Sequence, residues 1–336
     1  MRILLLVLAL AVLALGAPSA ARADCARVAK DLCATENGHY RIRTPDGLGP
    51  HPTVLYLYGS TGQSGQIINR RAFEDAFVSR GYAVIVPAAL DLRYADGLDS
   101  GWFLRHERGK KERDEVAFVA EVLRDAEQNF VIDRRNVLMT GMSRGAFLTW
   151  EIACHHPDMA KAYAPVAGGY LGPMPDRCRA PVKLMHTHGT ADKIVPYQSD
   201  KPWGSGGARA QPLEVALGRM ASTGGCERQG KTTPFLDYER TVWENCNRSA
   251  SVDLLVHKGG HTIPRSWYPA VIDWYEKGSA PKPSPVVEAT GGTAVFKGAS
   301  TGTRLGKRAP SDGVRVLRGG SQSSGGTRFK KVPGTQ

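Results

Sequence analysis

Asn136-Val137-Leu138-Met139-Thr140-Gly141-Met142-Ser143-Arg144-Gly145-Ala146-Phe147-Leu148-Thr149-Trp150 is the stretch that decides the fold of this 336-residue chain. A short β-prone run enters Gly-x-Ser-x-Gly, and residues 146–155 behind it carry a helical pattern. A strand that turns this sharply into a helix leaves the central serine standing at its tip. The flanking glycines are required because side chains there would collide with the strand and the helix. With 38 glycines in the chain a chance match is not rare, and Gly298-Ala299-Ser300-Thr301-Gly302 is a second one. Ser300 has no helical pattern behind it and no histidine after it, so Ser143 alone has the required context.

On either side of this turn, apolar runs alternate with helical patterns. The runs at 53–58, 82–87, 136–140, 161–166, 182–188 and 251–257 are mostly continuous, as in parallel strands covered on both faces. Between and after them, 70–79, 111–128, 146–155, 213–222 and 268–277 read as helices; in the second, Val116, Val119, Ala120, Leu123 and Ala126 recur at helical spacing. Alternation of this kind predicts an α/β fold, a mainly parallel doubly wound sheet in one catalytic domain. A composition of 42% hydrophobic and 23% charged residues supplies a large core and excludes a chain disordered throughout. Six cysteines are too few for a small disulfide scaffold.

The ends of the chain differ from its body. Met1-Arg2, an apolar run from Ile3 to Leu15 and Ala21-Arg22-Ala23 form a signal peptide over 1–23, with Asp24 as the first mature residue. Asp24 ahead of Cys25 excludes a lipoprotein site, and no later apolar run approaches the roughly 18–20 residues of a membrane span. The expected location is therefore secreted or periplasmic, where cysteines pair. Six cysteines allow fifteen pairings, which sequence alone leaves open; their grouping suggests Cys25–Cys33, Cys154–Cys178 and Cys226–Cys246. Beyond the catalytic domain at 24–278, Pro281-Lys282-Pro283-Ser284-Pro285 opens a Gly/Ser/Thr-rich stretch, and 279–336 reads as a disordered basic tail. That tail carries +8 and the leader +2 of the total +12, so the catalytic domain is nearly neutral at +2.

A serine hydroxyl becomes a nucleophile only when an oriented base removes its proton, and in this kind of turn the chain order is Ser, then acid, then His. Asp192 follows the run at 182–188 in a loop, His188-Gly189-Thr190-Ala191-Asp192, at the carboxyl edge where such sheets carry their sites. Asp253 falls inside a strand, and Asp158 and Asp176 come before that run. His261, in Gly259-Gly260-His261-Thr262, follows the last strand, whereas His257 lies within it. His186 and His188 alternate on one strand face, but no third ligand is evident, so no metal is expected. The charges from Lys110 to Asp114 read as a solvated helix start.

Ser143 in its turn, His188-Gly189-Thr190-Ala191-Asp192 followed by Val195-Pro196-Tyr197, and Gly259-Gly260-His261-Thr262 together resemble the polyhydroxybutyrate depolymerase and feruloyl/acetylxylan esterase group of α/β-hydrolases. The match runs over 53–277 in order and spacing, and 113–118 is similar to that group's helix before the serine turn. The resemblance implies an α/β-hydrolase fold and a Ser143–Asp192–His261 triad, and disulfides Cys154–Cys178 and Cys226–Cys246 fit it. It also implies an oxyanion hole from the backbone N–H groups of Arg144 and Ser60. The group usually has His-Gly-Cys where this chain has Tyr58-Gly59-Ser60. Trp102, with Phe103, resembles an aromatic pair of the substrate groove, and Trp267, following the His261 loop, is a second candidate to line it.

The expected protein is thus an exported serine esterase acting on carboxylic esters of short or hydroxylated acids, polymeric or small, without a cofactor, nucleic-acid partner or transmembrane segment. The small Gly-rich insertion at 203–210 is no lipase lid. A secreted peptidase of the same fold is the alternative within enzymes. A catalytically idle polyanion- or glycan-binding fold, with the tail as anchor on an anionic surface, is the alternative outside them.

Overall fold

The computed structural model of the protein describes residues 32–60, 71–94, 97–104, 112–198, 209–247 and 250–277. The leader, Cys25, most of the insertion at 203–210 and the tail with Ser300 lie outside the described residues.

Six apolar runs form the centre of the sheet. They are β3 (His51–Leu57), β4 (Ala83–Pro87), β7 (Ile132–Met142), β8 (Ala162–Val166), β9 (Lys183–Gly189) and β12 (Ser251–His257), all parallel in the order β4-β3-β7-β8-β9-β12. Consecutive residues such as Val54, Leu55, Tyr56 and Leu57 are all buried, so both faces are covered, as continuous apolar runs require. Antiparallel strands extend both sides. β2 (Gly38–Arg43) and the three-residue β1 (Cys33–Thr35) lie beyond β4, and β11 (Tyr238–Trp243) and β10 (Lys231–Phe235) lie beyond β12. A separate two-stranded sheet pairs β5 (Leu90–Tyr94) antiparallel with β6 (Gly97–Gly101).

Among the described residues five α-helices accompany these strands: α1 (Arg71–Val78), α2 (Glu115–Asn129), α3 (Arg144–His155), α4 (Leu213–Thr223) and α5 (Trp267–Glu276). The crossover from β3 to β4 runs one way across the sheet and those from β4 through β7, β8 and β9 to β12 run the other. Right-handed crossovers therefore put α1 on one face and α2, α3 and α4 on the opposite face; α5 packs against α1. The order reverses where β3 meets β7, and the carboxyl-end crevice at such a point is where a ligand site is built. None of the described helices is long and apolar enough to cross a membrane.

α2 begins where Asp114 accepts hydrogen bonds from the N–H groups of Val116 (3.0 Å) and Ala117 (3.1 Å), an N-cap worth about 1 kcal/mol. The residue before the cap is not solvated, in contrast to the sequence reading. Arg113 lies over the Phe118 ring and donates to the buried Glu115 (2.7 Å) and to Ala88 O (3.1 Å). α3 is buried almost all round; Phe147, Leu148, Trp150 and Ile152 each contribute about 1.5–3 kcal/mol of apolar burial. Disulfides join Cys154 to Cys178 and Cys226 to Cys246, as the sequence grouping suggested. Cys33 is also in a disulfide, and the Cys25 assigned to it lies outside the described residues.

Candidate active site

Three loops at the carboxyl ends of the parallel strands β7, β9 and β12 carry the candidate residues. Ser143 sits between β7 and α3 with φ 55° and ψ −121°, a left-handed backbone that an L-residue adopts only under local constraint. The constraint is visible in the bonds around it. Its N–H donates to Val166 O at the end of β8 (3.0 Å), and its carbonyl accepts from Ala146 (2.9 Å) and Phe147 (3.1 Å). Gly141 and Gly145 make the turn possible. A Cβ on Gly145 would lie 2.0 Å from Leu57 O, and one on Gly141 would lie 2.4 Å from Gly145 O.

The loops after β9 and β12 are stitched together because the two strands are neighbours. Thr190 N–H donates to His257 O (2.8 Å) and Ala191 N–H to Gly259 O (3.0 Å). This brings His261 Nδ1 to 2.7 Å from Asp192 Oδ2. Asp192 Oδ1 accepts from the N–H groups of Ile194 and Val195, both at 2.9 Å, and His188 Nε2 lies 3.5 Å from Oδ2. Burial pulls the Asp192 carboxyl upward, but the hydrogen bonds from His188, His261 and Val195 outweigh it and hold the acid well below the usual carboxylate range. Asp192 is thus a buried, ionised anchor for one face of the His261 ring, and His261 Nε2 is left to face other chemistry. Ser143 is 8% exposed.

The competing residues have other occupations. His257 is buried, and its Nδ1 accepts from Gly259 N–H (3.0 Å) while its Nε2 has no partner among the described residues. Asp253 is held by Arg240 and by Trp274 Nε1 (3.0 Å). An open recess of about 730 Å³ beside the His261 loop is lined by Thr190, Tyr238, His257, Gly259 and Ser266; it does not reach Ser143 or Asp192.

Ser60 lies beyond the end of β3, and a Cβ on its neighbour Gly59 would lie 2.9 Å from Ser143 Cβ. Arg144 is the first residue of α3, directly after the Ser143 turn. The Arg144 side chain is buried, and its Nε donates to Trp102 O (2.7 Å). Trp102 Nε1 in turn donates to Tyr58 O (2.8 Å), and the Tyr58 hydroxyl accepts from Ala89 N–H. Tyr58, Trp102 and Arg144 therefore brace the loop before Ser60 from below. No sequence pattern points to this bracing, because each bond has a backbone group as one partner.

Both tryptophan expectations need correction. Trp102 and Trp267 are each 0% exposed. Trp102 is a brace, and Trp267 is core. It packs among Phe73, Phe77 and Tyr268 between α1 and α5, with its Nε1 on Thr187 Oγ1 (3.1 Å). Among the described residues no group of three or more His, Cys, Asp or Glu is placed to hold a metal ion.

Burial of an uncharged histidine makes stability depend on pH. His186 is fully buried, and burial first, then the neighbouring His188, pushes its pKa well below the ordinary 6.5. The unfolded chain therefore binds more protons than the native one below that value. Stability is complete above pH 6.5 and is lost as pH falls toward the native value, at up to about 1.4 kcal/mol per pH unit per proton. Asp192, also depressed, adds its loss in a lower window, below its ordinary 3.8. Urea midpoints at pH 7, 6 and 5 should therefore fall, and His186→Phe, though less stable at pH 7, should fall less steeply. Parallel curves would show that His186 charges freely in the native protein.

No family model matches the chain. Feruloyl esterase D of Neurospora crassa is 24% identical over 281 residues, 77% of this chain and 87% of that protein. Feruloyl esterase C of Emericella nidulans is 22% identical over 232 residues, 66% of this chain and 75% of that one. Among solved structures, an acetyl xylan esterase from Aspergillus awamori matches with a TM-score of 0.50 and 18% identity, covering 70% of this chain and 93% of that chain. The likeness to the solved structure is one of fold, and that fold is the α/β-hydrolase.

Proposed function

We propose that this chain, an α/β-hydrolase similar to feruloyl and acetylxylan esterases, is an exported serine hydrolase of carboxylic esters. The observation that carries the reading is the 2.7 Å bond between His261 and the buried Asp192, in two loops that follow the Ser143 turn in chain order. Ser143 Oγ attacks the ester carbonyl as His261 Nε2 takes its proton, and Asp192 holds the imidazole in the tautomer that leaves Nε2 free. The oxyanion is met by the N–H groups of Arg144 and Ser60; one such donor is worth about 10²–10³ in rate. His261 returns the proton to the leaving alcohol. Water then attacks the acyl-serine, giving a proton to His261, which passes it to Ser143 Oγ as the carboxylic acid leaves. Among the described residues Ser143 makes no hydrogen bond to His261, and in unliganded hydrolases this contact commonly tightens only with substrate.

The substrates are esters of short or hydroxylated acids, in keeping with the names of the relatives. Turnover of p-nitrophenyl acetate, methyl ferulate, acetylated xylan and hydroxybutyrate oligomers, set against long-chain triglyceride emulsions, tests this. Preference for the emulsions, or no turnover of any ester together with no labelling of Ser143 by a fluorophosphonate, would sink the reading.

The catalytic domain ends near residue 278, and the tail at 279–336, at +8, serves weak adhesion to an anionic surface. At 0.15 M salt the screening length is about 8 Å, so attraction acts only at close approach. A chain ending at Gly278 should keep full turnover of soluble esters and lose retention on an anionic matrix, and high salt should abolish the difference. Loss of soluble-ester turnover on truncation would put the tail inside the folded domain.

A further inference from the structure

From the Asp192 loop a row of hydrogen bonds runs back to α3, the helix that follows Ser143. Trp150 Nε1 lies 3.1 Å from His186 Nδ1, His186 Nε2 lies 3.0 Å from His188 Nδ1, and His188 Nε2 lies 2.8 Å from Val195 O and 3.5 Å from Asp192 Oδ2. All three side chains are buried.

The direction of every bond follows from the two ends. An indole N–H can only donate and a carbonyl can only accept, while a neutral imidazole has one donor and one acceptor. Trp150 therefore makes His186 Nδ1 an acceptor, which puts the His186 proton on Nε2. That proton makes His188 Nδ1 an acceptor in turn, and the His188 proton sits on Nε2, facing Val195 O and Asp192. The carbonyl at the far end demands the same arrangement, so both ends agree. Other titratable groups also surround His188. They are the Tyr197 phenol, kept protonated by burial, the His257 ring of β12, and His261 across the Asp192 carboxylate.

We propose that His188 is a positioning residue for the Asp192–His261 pair, with its N–H aimed at the Asp192 loop by the Trp150–His186 chain. The proposal rests on the serine hydrolase reading above, and it ties the helix that carries the nucleophile to the loop that carries the acid. Without the His188 N–H, the Asp192 carboxylate has fewer donors sharing its charge, is less well fixed, and draws the His261 proton more strongly.

His188→Phe keeps a planar ring and removes both nitrogens; His188→Gln returns an amide N–H near the position of Nε2. Expected for His188→Phe is a kcat lowered about 10–100-fold with KM unchanged, the scale of a misplaced catalytic group, and an acid limb of kcat/KM moved to higher pH. His188→Gln should restore the limb to the wild-type position and most of kcat. A role in packing alone would lower Tm in His188→Phe and leave kcat and the limb where they were, which would overturn the proposal. Long-range ¹⁵N–¹H correlation spectra of the ¹⁵N-histidine-labelled wild-type chain decide the matter even if His188→Phe fails to fold. Both His186 and His188 should carry their protons on Nε2, and a proton on His188 Nδ1 overturns the proposal. Full activity in Ser143→Ala would instead defeat the hydrolase reading, and the spectra do not depend on it.

Discussion

Ser143→Ala, His261→Ala and Asp192→Asn should each lower kcat by roughly 10⁴–10⁶ and leave the fold intact. Residues of a triad act as a unit, so losing the serine or the histidine costs nearly what losing all three costs, and losing the acid somewhat less. Asp192→Asn is the most informative of the three. The amide keeps the shape of the carboxylate, but the N–H groups of Ile194 and Val195 compete for its single oxygen. Its NH₂ is then directed at His261 Nδ1, which must accept, and this forces the proton onto Nε2, where the serine proton has to arrive. Ser300→Ala, in the second Gly-x-Ser-x-Gly of the chain, should change nothing. Measured kcat on a soluble p-nitrophenyl ester, with circular dichroism as a check on folding, separates the cases. Wild-type turnover by Ser143→Ala would falsify the functional reading.

Gly145→Ala should be the most destabilising single methyl group that can be added near the site. The new Cβ would lie 2.0 Å from Leu57 O, 2.4 Å from Leu57 C and 2.5 Å from Tyr58 O, all backbone atoms of β3 and its exit. No rotamer relieves a clash with backbone, so α3 must be pushed away from the strand it packs on. A loss of about 4 kcal/mol or more is expected, the range reserved for such specific mechanisms, which is roughly 8–16 °C in Tm for a domain of this size. Gly218→Ala is the matched control. It lies inside α4 with nothing within 4 Å of its would-be Cβ, and there the exchange should stabilise by about 0.5–1 kcal/mol. Thermal unfolding of the two variants should move in opposite directions; equal and small shifts would mean that the α3–β3 contact is looser than these distances.

The parallel centre of the sheet is legible in the sequence because strands covered on both faces have to be continuously apolar, as in residues 54–58 and 83–86. The antiparallel strands at the sides escape that criterion. Gly38-His39-Tyr40-Arg41-Ile42-Arg43 alternates, and Tyr40 is its one fully buried residue; an alternating pattern, rather than an apolar one, was the signal to look for. β10 is almost wholly exposed and has no apolar pattern. At the site, the Ser143 turn is legible because its steric demands are local. The pairing of Asp192 with His261 is legible through chain order, since β9 and β12 lie side by side. The tryptophans are not, because a large ring near a sheet edge is equally apolar whether it meets substrate or core. Arg113 reads as a surface charge, and only the tertiary structure supplies the Phe118 ring and Ala88 carbonyl that it packs on.

The two ends of the ten-stranded sheet bear on how crowded the protein can become without self-association. An outermost strand offers unpaired backbone groups to any neighbouring copy, and long, flat apolar edges are where molecules stack into fibres. Among the described residues one margin is the three-residue β1, too short to template a partner. The other is β10, Lys231-Thr232-Thr233-Pro234-Phe235, which carries a cationic side chain at its start and, at Pro234, a residue with no N–H to offer. Concentrated samples should therefore stay free of cross-β aggregates as long as the native sheet persists. Replacing Pro234 with valine and Lys231 with threonine together should be enough to make thioflavin-positive material appear on prolonged agitation.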